Sequence, residues 1–427
     1  MIESLSPRLF QFGFVGDPSP EDWNRVRRYA SWMREVRVIE WIPLEEETYK
    51  RLRLNSPPGG WFPALQDLTL YITKPNPWNY ADLFSSPHLK RFSISTEQLR
   101  ADFPFATLTT LDSFILTLPA SDLERISVDV GHHTMPWEHF KDSFSSIVLR
   151  CGPSFTEYNS PVPLSNAALH HLIQLPRLCT WRIHGPPPTY PASSLPLVFP
   201  PLKEFTLGED AACGWLPLLG RLEDRATTPQ GVTPLSKAKE SLKVLNIKDI
   251  SSISIDAPFV STIQIFRNLV KLNVEVYCPD TYEGQCMFNL NNDNVTELAM
   301  ALTQLEFLLL GRTCFKNTCL TTVACLLPIS IHCSKLRKLG IHFNTTNIVD
   351  DFKNILEDPR SQQLRSLPRC PLTRLDIFHT PLDLDESGFE TVVKGMIDIF
   401  PSLKRCEGLG RKWHELSDAI DPQEDLE

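Results

Sequence analysis

The sequence lacks the features that would place the chain in a membrane or on a secretory route. No run of apolar residues approaches the roughly 18 that a membrane-spanning helix needs. The opening residues, Met-Ile-Glu-Ser-Leu-Ser-Pro-Arg, have neither the basic start nor the apolar core of a secretory signal. The 11 cysteines are odd in number and irregularly spaced, which favours reduced thiols and a cytoplasmic or nuclear location.

The sequence also has no motif for catalysis, for a cofactor or for nucleic-acid binding. The formal net charge is −9, and the nearest basic cluster, Arg25, Arg27 and Arg28, is short and flanked by acids. No phosphate-binding glycine loop, nucleophile elbow or His-Glu-x-x-His motif occurs. We therefore predict that the chain is not an enzyme, that it needs no cofactor and that it binds no nucleic acid.

Three groups of potential metal ligands are present, but none has the spacing of a known site. They are four cysteines, three histidines and three acids: Cys314, Cys319, Cys325, Cys333, His132, His133, His139, Asp383, Asp385 and Glu386. The cysteine spacings of 5, 6 and 8 residues match no zinc pattern, and the histidines have no partner at ligand spacing. The acids lack the Gly and the final Glu of a calcium loop, and they have a simpler use at a helix start. We therefore predict no metal.

What the sequence does contain is one short pattern, Leu-x-x-apolar-x-apolar, repeated along nearly its whole length. Its first positions are Met33, Leu65, Leu89, Leu123, Leu178, Leu202, Leu242, Leu269, Leu305, Leu336 and Leu372, with a degenerate copy at Leu403. Leu123 and Leu178 are 55 residues apart, well above the other intervals, which indicates one hidden repeat, near Ser146–Leu149. One copy would be any half-buried strand, but this many copies indicate a repeat architecture.

The pattern has a physical reason in the stacking of parallel strands. Each strand pairs with the strand of the next repeat through a crossover of a dozen or more residues, and the inward apolar positions form a continuous ladder. Pro63, Pro87, Pro176 and Pro401 each stand two residues before a first position, where proline ends the preceding helix. We predict an α/β fold: a right-handed leucine-rich-repeat solenoid of the ribonuclease-inhibitor type, with one parallel sheet and with helices and loops on its convex side.

The repeats also define the organisation of the chain. Residues 1–20 are predicted to be an N-terminal loop segment, residues 21–410 the solenoid, and residues 411–427 an acidic, disordered tail. The segment Phe103–Leu118 fits either an extra strand or a short helix.

A partner-binding surface is predicted on the concave face of the sheet. The third, fifth and seventh positions of each repeat point away from the ladder, because side chains alternate along a strand. In the late repeats these positions hold Phe307, Leu309, His342, Arg374 and Phe378. The large apolar groups among them have no ladder to fill there. They form either a hot spot for a protein partner or a patch that the chain itself covers.

Several segments resemble one known family. They are Ser6–Leu9, residues 21–23 with Tyr29 and Ala30, Val36–Ile39, Ala168–Leu175, Leu178–Gly185 with the prolines that follow, Phe199–Leu207 and Ile399–Leu403. These segments resemble the F-box/leucine-rich-repeat proteins that mushroom-forming fungi carry in large numbers. The resemblance implies the substrate-recognition repeats of an F-box subunit in a cullin-RING ubiquitin ligase.

Members of that family usually begin with a helical F-box of Leu-Pro-x-Glu character, which docks the ligase adaptor. Residues 1–40 contain no such motif, so we expect that the F-box has been lost or lies upstream of this chain. An alternative is a ligase-independent leucine-rich-repeat module that binds or inhibits another protein.

Overall fold

The fold is taken from a computed structural model. It describes residues 18–38, 46–71, 82–95, 105–129, 137–183, 200–208, 211, 215, 239–250, 254–276, 286–311, 319–359, 370–378, 382–408 and 410–421. The chain divides into two compact units. The described part of the first unit ends at Ile183, and that of the second begins at Pro200.

The described part of the first unit contains six strands, and strands that follow each other along the chain pair in parallel. The strands are β1 (Glu35–Val38), β2 (Asp67–Tyr71), β3 (Arg91–Ser95), β4 (Arg125–Asp129), β5 (Glu157–Ser160) and β6 (Thr180–Ile183). The described helices of this unit are α1 (Pro20–Ala30), α2 (Glu46–Leu54), α3 (Phe105–Thr117), α4 (Lys141–Arg150) and α5 (Asn166–Gln174). The segment for which the sequence allowed either a strand or a helix is therefore helical, as α3.

The described part of the second unit repeats the arrangement with seven parallel strands. They are β7 (Glu204–Leu207), β8 (Val244–Ile250), β9 (Lys271–Val276), β10 (Phe307–Leu310), β11 (Lys338–Ile341), β12 (Arg374–Asp376) and β13 (Arg405–Glu407). Its described helices are α6 (Ala257–Ile263), α7 (Asn292–Ala301), α8 (Leu326–His332), α9 (Ile348–Glu357), α10 (Glu386–Ile399) and α11 (Arg411–Ile420). The predicted class, an α/β leucine-rich-repeat solenoid, is confirmed.

The predicted leucine ladder forms the core of both units. In the second unit, Leu245, Leu272, Leu308 and Leu339 are direct register partners on adjacent strands. All four are buried, as predicted from their common place in the repeat. A repeat cannot bury this position alone, so the ladder is what makes the stacked repeats stable.

The hidden repeat is β5, and the predicted location near Ser146–Leu149 was wrong. Those residues lie in helix α4, whereas the strand is Glu157–Ser160. Its inward positions are Phe155, Tyr158 and Ser160, all buried. The Ser160 hydroxyl accepts a hydrogen bond from the Val162 backbone N–H at 3.1 Å. This repeat has Phe155 at its first position and Ser160 at its sixth, so a pattern based on leucine and apolar residues does not detect it.

The predicted tail also needs correction, because residues 411–420 form helix α11. Trp413 and Leu416 are buried, and their spacing of three residues puts both side chains on one helical face. The Cys406 backbone N–H donates to the Ser417 hydroxyl at 3.2 Å, which ties the helix to β13. The helix therefore packs on the last strand of the ladder. Residues 422–427, like residues 1–17 of the predicted N-terminal loop, lie outside the described residues.

Candidate protein-interaction surface

Side chains that point away from the ladder form aligned rows along strands β9–β13. The parallel register places Lys271, Phe307, Lys338, Arg374 and Arg405 side by side, one residue on each strand. We call these five residues the outer row. Two positions further along, the same strands carry the middle row, which consists of Asn273, Leu309, Gly340, Asp376 and Glu407.

The outer row is accessible to a partner. Phe307 is 37% exposed, a large fraction for an aromatic side chain on a paired strand. Lys271 and Lys338 flank it on the neighbouring strands and are half-buried. The outer row thus places Phe307 between two lysines, each on an adjacent strand about 4.8 Å away.

The charged members of the outer row are all cations. Glu407, in the middle row, is contacted by two of them: Arg374 pairs with one carboxylate oxygen, and Arg405 Nε lies 2.8 Å from the other. In the first unit, side chains of opposite charge occupy the equivalent positions and pair across neighbouring strands. There, Arg91 pairs with Asp67 at 3.2 Å and Arg125 with Glu157 at 2.8 Å.

The middle row is covered where it is most apolar. Leu309 and Phe378 are each only 8% exposed. A Cβ atom on Gly340 would lie 2.6 Å from Leu309 Cδ2 and 2.6 Å from Phe378 Cζ, so the Phe378 ring lies over the glycine. Phe378 has φ of 51°, a strained value for a residue with a side chain, and its N–H donates to Asp376 Oδ1 at 3.1 Å.

The sequence left open whether the apolar side chains form a hot spot for a partner or are covered by the chain itself, and the answer differs between residues. Leu309 and Phe378 are largely buried, whereas Phe307 is exposed. The part of the predicted patch that a partner could reach without rearrangement is therefore Phe307, together with the half-buried Arg374.

His342 does not lie on this surface, and its predicted exposure was wrong. Strand β11 ends at Ile341, so the alternation of side-chain directions no longer applies at the next residue. The imidazole is fully buried, with its ring centroid 6.5 Å from that of Phe288 in an edge-on arrangement.

Lys338 and Arg405 were missed by the sequence-based choice of site residues. Both occupy the third position of their repeats, the same position as Phe307 and Arg374. The repeat pattern contains the signal needed to find them, because third positions align across parallel strands.

The outer row ends at an open groove beside β13. The groove has a volume of about 810 Å³, and its lining includes Arg374, Arg405, Glu407, His414 and Asp418. Charges of both signs line it, so it offers polar contacts rather than an apolar pocket.

The potential metal ligands fall into several different environments. His139 is half-buried in the short helix Trp137–Phe140, and Asp383 and Glu386 are exposed. Cys319, Cys325 and Cys333 are buried free thiols; burial raises the pKa of Cys319 and of Cys333 to about 12. Asp385 accepts a hydrogen bond from the Gly388 N–H at 2.7 Å as the cap of α10. Cys314, His132 and His133 lie outside the described part of the chain.

The described residues contain neither a cluster of metal ligands nor a membrane-spanning helix. Within those ranges, no group of three or more His, Cys, Asp or Glu side chains could hold a metal ion. Nor does any helix in the described part of the chain have the length and apolar character needed to cross a membrane.

Comparison with known proteins identifies no family for this chain. No family model matches the sequence, and no curated protein matches it. Among solved structures, the chain is similar to one described as the crystal structure of the Rad7 and Elc1 complex in yeast. The identity is 13%, the TM-score is 0.38, and the alignment covers 93% of this chain and 85% of the other. The fold assignment rests on the paired strands and the buried ladder described above.

Proposed function

We propose that the chain is a non-enzymatic scaffold for protein–protein interaction, which binds a protein partner on strands β9–β13 around Phe307. The exposure of Phe307 is the observation that carries this proposal. The repeat needs no apolar group at that position, and exposed aromatic side chains on a rigid sheet often mark interfaces. Parallel strands buried on their other face hold such a group in a fixed place.

A more specific form of the proposal is that the partner is a substrate of a ubiquitin ligase. Its support is the sequence resemblance to the repeat region of F-box/leucine-rich-repeat proteins of fungi, and it implies action in the cytoplasm or nucleus. The alternative is a ligase-independent binding or inhibitor module with the same fold, because a fold does not fix a function. Binding of a purified ligase adaptor, with and without any upstream exon, would separate the two.

The scaffold proposal can be tested by affinity capture with a matched pair of variants. Phe307→Ala removes the exposed ring on the strand face, and Met300→Ala removes an exposed apolar side chain on helix α7 of the same unit. We expect both variants to keep the melting temperature of the parent. Quantitative mass spectrometry should show partners lost from Phe307→Ala and retained by Met300→Ala. An unchanged set of partners in Phe307→Ala would rule out this surface.

A further inference from the structure

We propose that the segment bound by this surface is an acidic, extended stretch of a partner protein, with one apolar side chain that packs on Phe307. The proposal rests on the proposed function, since it specifies the chemistry of the partner. It is carried by the composition of the outer row, which consists of four cations and one exposed aromatic ring on five consecutive strands.

The charge of the outer row is opposite to that of the chain. The whole chain carries a formal net charge of −9, yet Lys271, Lys338, Arg374 and Arg405 follow each other with only Phe307 among them. Glu407 offsets part of this charge at the β12–β13 end. A carboxylate-rich segment complements such a row, and complementary charges set specificity and the rate of association.

The spacing of the strands sets the length of the segment. Five strands at about 4.8 Å span about 19 Å between Lys271 and Arg405. An extended chain covers that distance with about six residues. Phe307 lies one strand from Lys271 and three strands from Arg405. Most acidic residues of the partner segment should therefore lie on the same side of its apolar residue, the side that faces β11–β13.

The observations favour a protein segment over a nucleic acid. A polynucleotide extends well beyond the row and would meet the negative charge of the remaining chain, whereas a short acidic peptide meets the row alone. The test below therefore includes an RNA probe, so that binding of a nucleic acid would be detected.

The test is fluorescence anisotropy with the full chain and labelled probes. The main probe is a short peptide of Asp and Glu with one Phe near one end. The comparison probes are the same peptide with Gly for Phe, the same peptide with Lys for the acids, and a single-stranded RNA. We expect only the acidic peptides to bind, the Phe peptide more tightly than the Gly peptide, with affinities that fall as salt rises.

A charge-matched pair of double variants locates the site. K271Q/K338Q removes the two cations beside Phe307, and K353Q/K394Q removes two exposed lysines from helices α9 and α10 of the same unit. The first pair should weaken binding of the acidic Phe peptide about tenfold, and the second should leave it unchanged. Both variants should melt at the parent temperature, so that a loss of binding reports the site and not the fold.

Three results would overturn the proposal, and they differ in what they say of the scaffold. If no acidic peptide binds but partner capture still depends on Phe307, the partner chemistry is wrong and the scaffold stands. If capture is insensitive to Phe307 as well, both proposals fail. If RNA binds more tightly than the peptide and loses affinity in K271Q/K338Q, the row binds phosphates and the partner is a nucleic acid.

Discussion

Replacing Trp413 by Ala should loosen helix α11 from the last strand and destabilise the repeats beside it. Trp413 is fully buried and packs over Gly408 at the end of β13. A buried aromatic side chain removes about 150–250 Å² from water, which at about 25 cal/mol per Å² corresponds to about 4–6 kcal/mol. Measured Trp-to-Ala changes in cores are about 3–5 kcal/mol, and we expect a loss in that range.

The assay is urea unfolding followed by far-ultraviolet circular dichroism, with hydrogen exchange to locate the effect. His414→Ala is the matched control, because His414 is the next residue of the same helix and is exposed. The control should change the free energy of unfolding by less than about 0.5 kcal/mol. In Trp413→Ala, exchange should accelerate first in β12 and β13, since repeats depend mainly on their neighbours.

A second substitution tests the packing itself. A Cβ atom on Gly408 would lie 2.5 Å from Trp413 Cδ1 and 2.6 Å from Cγ, so Gly408→Ala must displace the ring and should cost about 1–3 kcal/mol. In the Trp413→Ala background the three atoms nearest to the new Cβ are absent, so the same change should cost much less. The double-mutant cycle should therefore show a coupling of about 1 kcal/mol or more. Additive losses, or a Trp413→Ala protein as stable as its parent, would refute the role assigned to α11.

Three further predictions concern the core, the thiols and the absence of metal. Leu308→Ala should cost about 2–5 kcal/mol, and an unchanged thermal melt would show that the ladder register is wrong. Burial raises the pKa of Cys370 to about 11 and of Cys151 to about 12, from 9.0. The unfolded chain then loses these protons at lower pH than the folded one, so the free energy of unfolding should fall from about pH 9 upward; denaturation series at several pH values that show no fall would contradict this. Elemental analysis should find no zinc, and one zinc per chain bound through Cys314–Cys333 would contradict that expectation.

The fold was predictable because its signal is periodic and redundant. Eleven copies of one pattern fix the strand positions even where a single copy is ambiguous, and the alignment of Leu245 with Leu272 follows directly. The repeat with Phe155 and Ser160 was missed because packing accepted an aromatic and a hydrogen-bonded hydroxyl at ladder positions. Helix α11 was missed because Trp413 and Leu416 suffice to bury one face of a helix in an otherwise polar segment.

The candidate surface was predictable in position but not in exposure. Alternation along a strand fixes the face on which a side chain lies. This holds for Phe307 on β10 and Arg374 on β12, which lie in one row with Lys338 of β11 between them. It fails at His342 because the strand has ended one residue earlier. Alternation along a strand also cannot predict the position of Phe378, because its positive φ directs its ring over Gly340.

The neighbours across the strands explain why Phe307 is exposed while Leu309 is not. Phe307 lies between Lys271 and Lys338, long side chains that can keep their charged ends in water and leave the ring accessible. Leu309 has Gly340 as its neighbour on β11, and the missing side chain leaves space that the Phe378 ring fills. The exposed part of the surface is therefore set by pairs of residues 31 to 38 positions apart in the chain, which can be recognised only when the register of the repeats is known.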